Sequence, residues 1–232
     1  NEQTGIYSMG YRFFEDSNNI AYLFAVLLLT IFSRMLSKHE KTEQLVALSY
    51  RILMSGAVFL AFVGWFYAAD ILKLRYSVFI EEATVPFQLL MFCFVAIASN
   101  YIFGTLLTAN GNLKALNIIA FSGMILNIVL NFILIPEYFV VGCALASLIT
   151  QIFTSLAQFT LAVKTFSFRF NFKLLFQFII YVFIVFGIMY LLKTSDLSLI
   201  VQGILGLLTY VVLVMFSGVL SPSSIKILLN ER

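Results

Sequence analysis

Long apolar stretches separated by short polar ones set the pattern of this chain. Lys, Arg, Asp, Glu and His are absent from residues 17–33, 52–69, 83–113, 115–136, 138–163, 174–192 and 197–225. A helix needs about 20 apolar residues to cross the hydrocarbon core, with a lower limit of ~17, and each run is near or above that limit. Spanning strands would instead alternate apolar and polar residues over segments of about ten. The stretch IIAFSGMILNIVLNFILI does not alternate. The pattern predicts an all-α, polytopic integral membrane protein with seven transmembrane helices, forming a single domain over 1–232.

In chain order the helices are expected at 7–33, 51–69, 86–108, 116–135, 138–163, 174–192 and 199–220. A polar connection, SRMLSKHEKTEQ, follows the first. After the second, 70–84 is too mixed to span and reads as a short helix lying on the surface. Pro86 is placed in the first turn of the third helix, where a missing N–H costs nothing. Asn110, Gly111 and Asn112 form a tight turn, with a glycine suited to a left-handed cap. Pro136 ends the fourth helix. Residues 164–173 form a basic connection, and Pro222 ends the seventh helix before a short polar tail.

Composition agrees with the pattern. The 232 residues are 62% apolar and 11% charged, with a mean hydropathy of +1.01; soluble domains hold about 45–50% apolar and about 25% charged residues. The net charge of +3 is spread over the connections and carries no nucleic-acid signature. Cys93 and Cys143 both fall inside apolar runs and read as small buried side chains. No CxxC or Cys/His spacing points to a metal. Seven crossings put the two termini on opposite sides. One side then holds Arg34, Lys38, Lys41, Arg51, Lys114, Lys164, Arg169, Lys173, Lys226 and Arg232, against Arg12, Lys73, Arg75 and Lys193 on the other. The positive-inside rule assigns the richer side to the cytoplasm, so the N-terminus faces outward. That orientation, and a first residue that is Asn rather than Met, suggest part of a longer chain.

Two groups of residues are candidates for function. Small and polar residues recur at helical spacing: Ala96, Asn100, Gly104 and Thr108; Gly123, Asn127 and Asn131; Gly142, Ala146, Thr150, Thr154 and Gln158; Cys143, Ser147, Gln151 and Ser155. Such rows let backbones approach and hydrogen-bond across helices, worth about 0.6–2 kcal/mol per contact, and together they can line a polar cavity. Asn100, Asn127, Asn131, Thr150 and Gln151 are the residues expected to face the bundle. The second group is Arg12, Glu15, Asp16 and Asn19, whose spacings of three and four put them on one helix face. They either pair at the outer headgroup level or face a cavity, where a carboxylate binds a coupling cation and Arg12 meets a phosphate. Enzyme signals are thin: His39 lies in a charged connection, no phosphate-binding glycine loop occurs, and Asp70, Glu81 and Glu82 have no acid–base partner in sight.

Three segments resemble the polysaccharide-export flippases of the multidrug/oligosaccharidyl-lipid/polysaccharide (MOP) superfamily. They are TGIYSMGYRFFE near the start, ILKLRYSVFIEEATVPFQLL, and FGTLLTANGNLKALNIIAFSGMILNIVLNFILIPEYFVVGCALASLITQ. The resemblance runs over most of 4–170. Its most specific part is Asn127, Asn131, Ile135, Pro136, Gly142, Ala144 and Ala146; the last two helices match only in hydrophobicity. The chain departs from the family at Thr30, where a proline is usual, and around Arg75 and Tyr76, where a glycine is usual. After Pro136 the family's Tyr-Gly is here Tyr138–Phe139, with glycine delayed to Gly142.

The resemblance implies the eighth to fourteenth helices of a two-lobed MATE-like transporter, with the N-terminal lobe absent from this chain. It implies transport of an undecaprenyl-pyrophosphate-linked oligosaccharide across the bacterial inner membrane by alternating access, serving O-antigen, lipopolysaccharide, capsule or exopolysaccharide synthesis. No cofactor is implied, and coupling would be to H+ or Na+. Implied partners are the lipid-linked oligosaccharide, membrane lipids, the N-terminal half of the same protein and polysaccharide polymerase machinery. Alternatives are another exporter of the superfamily (a drug/cation antiporter or a peptidoglycan-precursor flippase), a membrane polysaccharide polymerase or ligase, and a dimerising half-transporter.

Overall fold

The computed structural model of the chain describes residues 2–168 and 172–216. They form six helices: α1 Glu2–Ser37, α2 Glu43–Lys73, α3 Ile80–Ala109, α4 Leu113–Phe166, α5 Phe172–Lys193 and α6 Leu199–Phe216. The first five contain segments long and apolar enough to cross a membrane, and α6 is a shorter apolar helix. The protein is all-α and multi-pass.

With 54 residues, α4 would extend about 80 Å if straight, far beyond a bilayer. It folds back at Phe139, whose backbone is non-helical at φ 50°, ψ −123°. Asn127 donates to Thr150 Oγ1 at 3.3 Å across the two arms, and Gly123 faces the Thr154 methyl. Near the turn, a Cβ on Gly142 would overlap the Leu134 carbonyl, so only glycine lets the arms meet there. The expected fourth and fifth helices are therefore the two arms of one hairpin, 113–138 and 140–166. The reversal takes one residue, because Pro136 withdraws an N–H from the ladder and Phe139 turns the backbone.

Several expected boundaries are corrected. The second helix begins at Glu43 rather than at Arg51, so the connection after α1 shortens to 38–42. No surface helix forms over 70–84. Asp70 to Lys73 complete α2, with Leu72 fully buried, and Ile80 already opens α3 after a left-handed Phe79. Pro86 consequently lies inside α3 instead of in its first turn. The turn at Asn110 forms as expected: Gly111 is left-handed at φ 81°, Asn112 N–H bonds the Leu107 carbonyl and Gly111 N–H that of Thr108. His39 plays the same capping part after α1, at φ 57°, with Glu40 N–H bonded to the Met35 carbonyl. The expected 164–173 connection shortens, since α4 runs on to Phe166 and α5 already opens at Phe172; Arg169 with 170–171, and Pro222 with the expected tail, lie outside the described residues.

The packing centre is α3, which contacts α1, α2 and α4. Its Phe87, Leu90, Cys93, Ala98, Ile102 and Leu106 are almost fully buried. α1 presents a stripe of Phe14, Ala21, Ala25, Leu28, Phe32 and Met35 to this core, at spacings of three, four and seven. The first arm of α4 is peripheral, with Gly123 its one buried residue. α5 and α6 dock on α2. Tyr181 donates to the Ser55 carbonyl at 2.9 Å, Phe59 stacks on Tyr210, and Lys193 pairs with Asp70 at 2.5 Å.

Candidate functional site

The stripe that α1 buries leaves its opposite face open. Arg12, Glu15, Asp16 and Asn19 all lie on that exposed face, above Leu23, Val26 and Leu27. Among the described residues, Arg12, Glu15 and Asp16 make no ion pair, with each other or with another helix. Their depth follows from how α1 sits on α3. The two helices run parallel: Gly10 lies against Phe87, where a Cβ would come within 3.0 Å of the Phe87 Cα. Further along, Tyr101 Oη donates to Asn18 Oδ1 at 3.0 Å.

Glu15 and Asp16 thus lie past Phe87, about 16 Å along the helix from the level of Glu82, the last charge before the uncharged part of α3. The uncharged run that follows them in α1, 17–33, is itself about 25 Å long, close to the whole hydrocarbon core, so the carboxylates stand at the outer end of that crossing. A charged side chain costs about 2.5–3.5 kcal/mol against lipid at the centre of a spanning helix and less toward the interface, so an open face with three charges suits headgroups, water or a second protein body rather than bare hydrocarbon.

The other candidates form a neutral seam between α3 and the α4 hairpin. Asn100 Nδ2 donates to Gln151 Oε1 at 3.1 Å and to Thr154 Oγ1 at 3.2 Å. One turn away in the hairpin, Asn131 Nδ2 donates to Asn127 Oδ1 at 2.9 Å, and Asn127 continues to the buried Thr150. Gly104 makes room for the Gln158 amide, whose Oε1 lies 2.8 Å from where a Cβ would stand. Oδ1 of Asn100, Oδ1 of Asn131 and Oε1 of Gln158 are buried without a protein partner. The seam brings Asn100, Asn127, Asn131, Thr150 and Gln151 together. It contains no charge, so it can fix helices by directed bonds but cannot neutralise an anion. The charged face and the seam share no residue.

Three features escaped the sequence pattern. Asn18 is turned to Tyr101 although its neighbour Asn19 is exposed, and no periodicity distinguishes the two. Asp70 and Lys193 are 123 positions apart in sequence, and Lys193 Nζ also lies 4.8 Å from the centre of the Tyr67 ring. A cleft of about 1050 Å³ opens between α2, α3, the second arm of α4 and α5, and of the rows named from sequence Ala96 and Ser155 alone line it. Thr154 and Gln158, by contrast, were visible in the same helical row as Thr150. No family model matches the chain, and no curated protein matches it.

Proposed function

We propose that the chain is one lobe of a membrane transporter that moves an undecaprenyl-pyrophosphate-linked oligosaccharide between leaflets by alternating access. The observation that carries the reading is the open, charged face of α1 at the outer end of its crossing. A polar glycan and its pyrophosphate must pass hydrocarbon, and a water-filled cavity between two lobes solves that problem. Arg12 offers the phosphates a bidentate donor. Glu15 and Asp16 are placed to take up a coupling proton or Na+, and Asn19 adds a neutral hydrogen-bonding group. The second lobe would come from the same polypeptide and cover this face, while the neutral seam keeps α3 and α4 rigid as the lobes rock. In this reading α1 to α6, with α4 counted as two arms, are seven crossings of a bacterial inner membrane. The 38–42 connection and Lys114 face the cytoplasm, as the positive-inside rule requires.

The test is made in the complete transporter, in cells whose surface glycan depends on it. Asp16→Asn and Arg12→Ala should abolish glycan display while membrane abundance stays unchanged. Full display in both variants would leave the cluster without a part in transport.

A further inference from the structure

Two of the orphaned acceptors, Asn100 Oδ1 and Gln158 Oε1, belong to neighbouring rungs of the seam. The first rung joins Asn100 Nδ2 to Thr154 Oγ1 at 3.2 Å. The second brings Gln158 against Gly104, where any Cβ would stand 2.8 Å from Oε1. Asn100 and Gly104 are one helical step of four residues apart on α3, and so are Thr154 and Gln158 on the second arm of α4; the rungs are therefore stacked about 6 Å apart. That interval is about twice the length of a direct hydrogen bond, whereas two O–H···O bonds of about 2.8 Å placed end to end span about 5.6 Å. Gly104 carries no side chain, which keeps the α3 side of the interval clear. A buried acceptor left unsatisfied is costly, and two on adjacent rungs can be served by one small molecule with two donors.

We propose that a single water molecule is bound between these rungs, donating one hydrogen to Asn100 Oδ1 and the other to Gln158 Oε1, and so bridging α3 to the second arm of α4. Groups that the protein leaves unpaired in its interior are the usual partners of buried water. A metal cation suits the place less well. Lys, Arg, Asp, Glu and His are all absent from 83–113 and 138–163, so an ion would enter without a counter-charge. The Asn100 amide also turns its N–H groups into the same rung, towards Gln151 and Thr154. Turning either amide over would exchange an orphan acceptor for an orphan donor, which a water serves equally and a cation does not. The third orphan, Asn131 Oδ1, belongs to the rung within the hairpin and lies outside this site. The bridge shares no residue with the charged face of α1 and is independent of any transport reading.

The experiment is a crystal structure of the full-length protein at a resolution that shows ordered water, from crystals grown with and without thallium(I) as a heavy substitute for monovalent cations. One density peak should lie within hydrogen-bonding distance of both Asn100 Oδ1 and Gln158 Oε1, give no anomalous signal in thallium, and vanish in Gln158→Leu, which removes one acceptor. A second arm measures unfolding in mixed micelles by the fluorescence of Trp65. Asn100→Leu and Gln158→Leu should be coupled about fivefold in the unfolding equilibrium constant, about 1 kcal/mol, although the two side chains make no direct hydrogen bond. Where Asn100→Leu does not fold, the density in wild type and Gln158→Leu decides alone. No peak in the wild type, a direct Asn100–Gln158 hydrogen bond, a thallium signal at the site, or uncoupled effects of the two substitutions would each overturn the assignment.

Discussion

Phe139→Gly should stabilise the protein, although it removes a large apolar side chain. At φ 50°, ψ −123° the residue occupies the first central conformation of a type II′ turn, which glycine adopts freely and a side chain resists. Holding a non-glycine residue in such a region costs about 1–3 kcal/mol. Glycine gives back about 0.5–1 kcal/mol through the greater freedom of its unfolded backbone. The ring itself contributes little to the core, since Phe139 is 61% exposed. The net expectation is a gain of about 0.5–2 kcal/mol. Unfolding in mixed micelles can be followed by the fluorescence of Trp65, the one tryptophan of the chain. Phe139→Ala is the control, because it deletes the ring but keeps a Cβ and most of the strain. Equal stability of the glycine and alanine variants would refute the argument, and so would a loss of stability in the glycine variant alone.

Other consequences are testable in the same system. A double-mutant cycle of Asn100→Ala and Gln151→Ala should show a coupling of about 0.6–1.7 kcal/mol, the range of polar contacts between membrane helices. Additivity within about 0.3 kcal/mol would mean that the seam contributes shape alone. Gly142→Ala should destabilise by about 1–3 kcal/mol or prevent folding, because the new methyl meets the rigid Leu134 backbone. Gly64→Ala should cost less, since the atom it meets at 2.5 Å is the Met91 Cγ, part of a flexible chain. Lys193→Ala should lower stability by no more than about 1 kcal/mol, as both partners of the ion pair are partly exposed, yet raise hydrogen exchange in α5 and α6. An unchanged exchange pattern would show that Tyr181 and Phe59 alone hold that pair of helices to α2.

Charge-free runs were sufficient to determine the class of this protein, because a bilayer demands the same length and polarity wherever the chain crosses it. The turn at Gly111 was legible for an equally local reason: a left-handed residue after a helix favours glycine. The rows holding Asn100, Asn127, Thr150 and Gln151 were also visible, since helical spacing alone puts them on shared faces. Helix ends were not legible in the same way. Residues 43–44 and 70–73 are polar enough to read as connection, and Arg51 sets the expected helix start, but burial of Leu45, Leu48 and Leu72 accompanies an α2 that runs through all of them.

Only the tertiary structure decided which faces are covered. The charged spacing at Arg12 to Asn19 was plain, while its exposure depended on Gly10 meeting Phe87, a contact between positions far apart in the chain that turns the other face of α1 to α3. The centrality of α3 over α4 had the same origin. Both helices are apolar all round, so composition could not rank them, and only the partners on each side distinguish a core helix from a peripheral one. Periodicity records what one helix offers; which neighbour accepts it is a property of the assembled bundle.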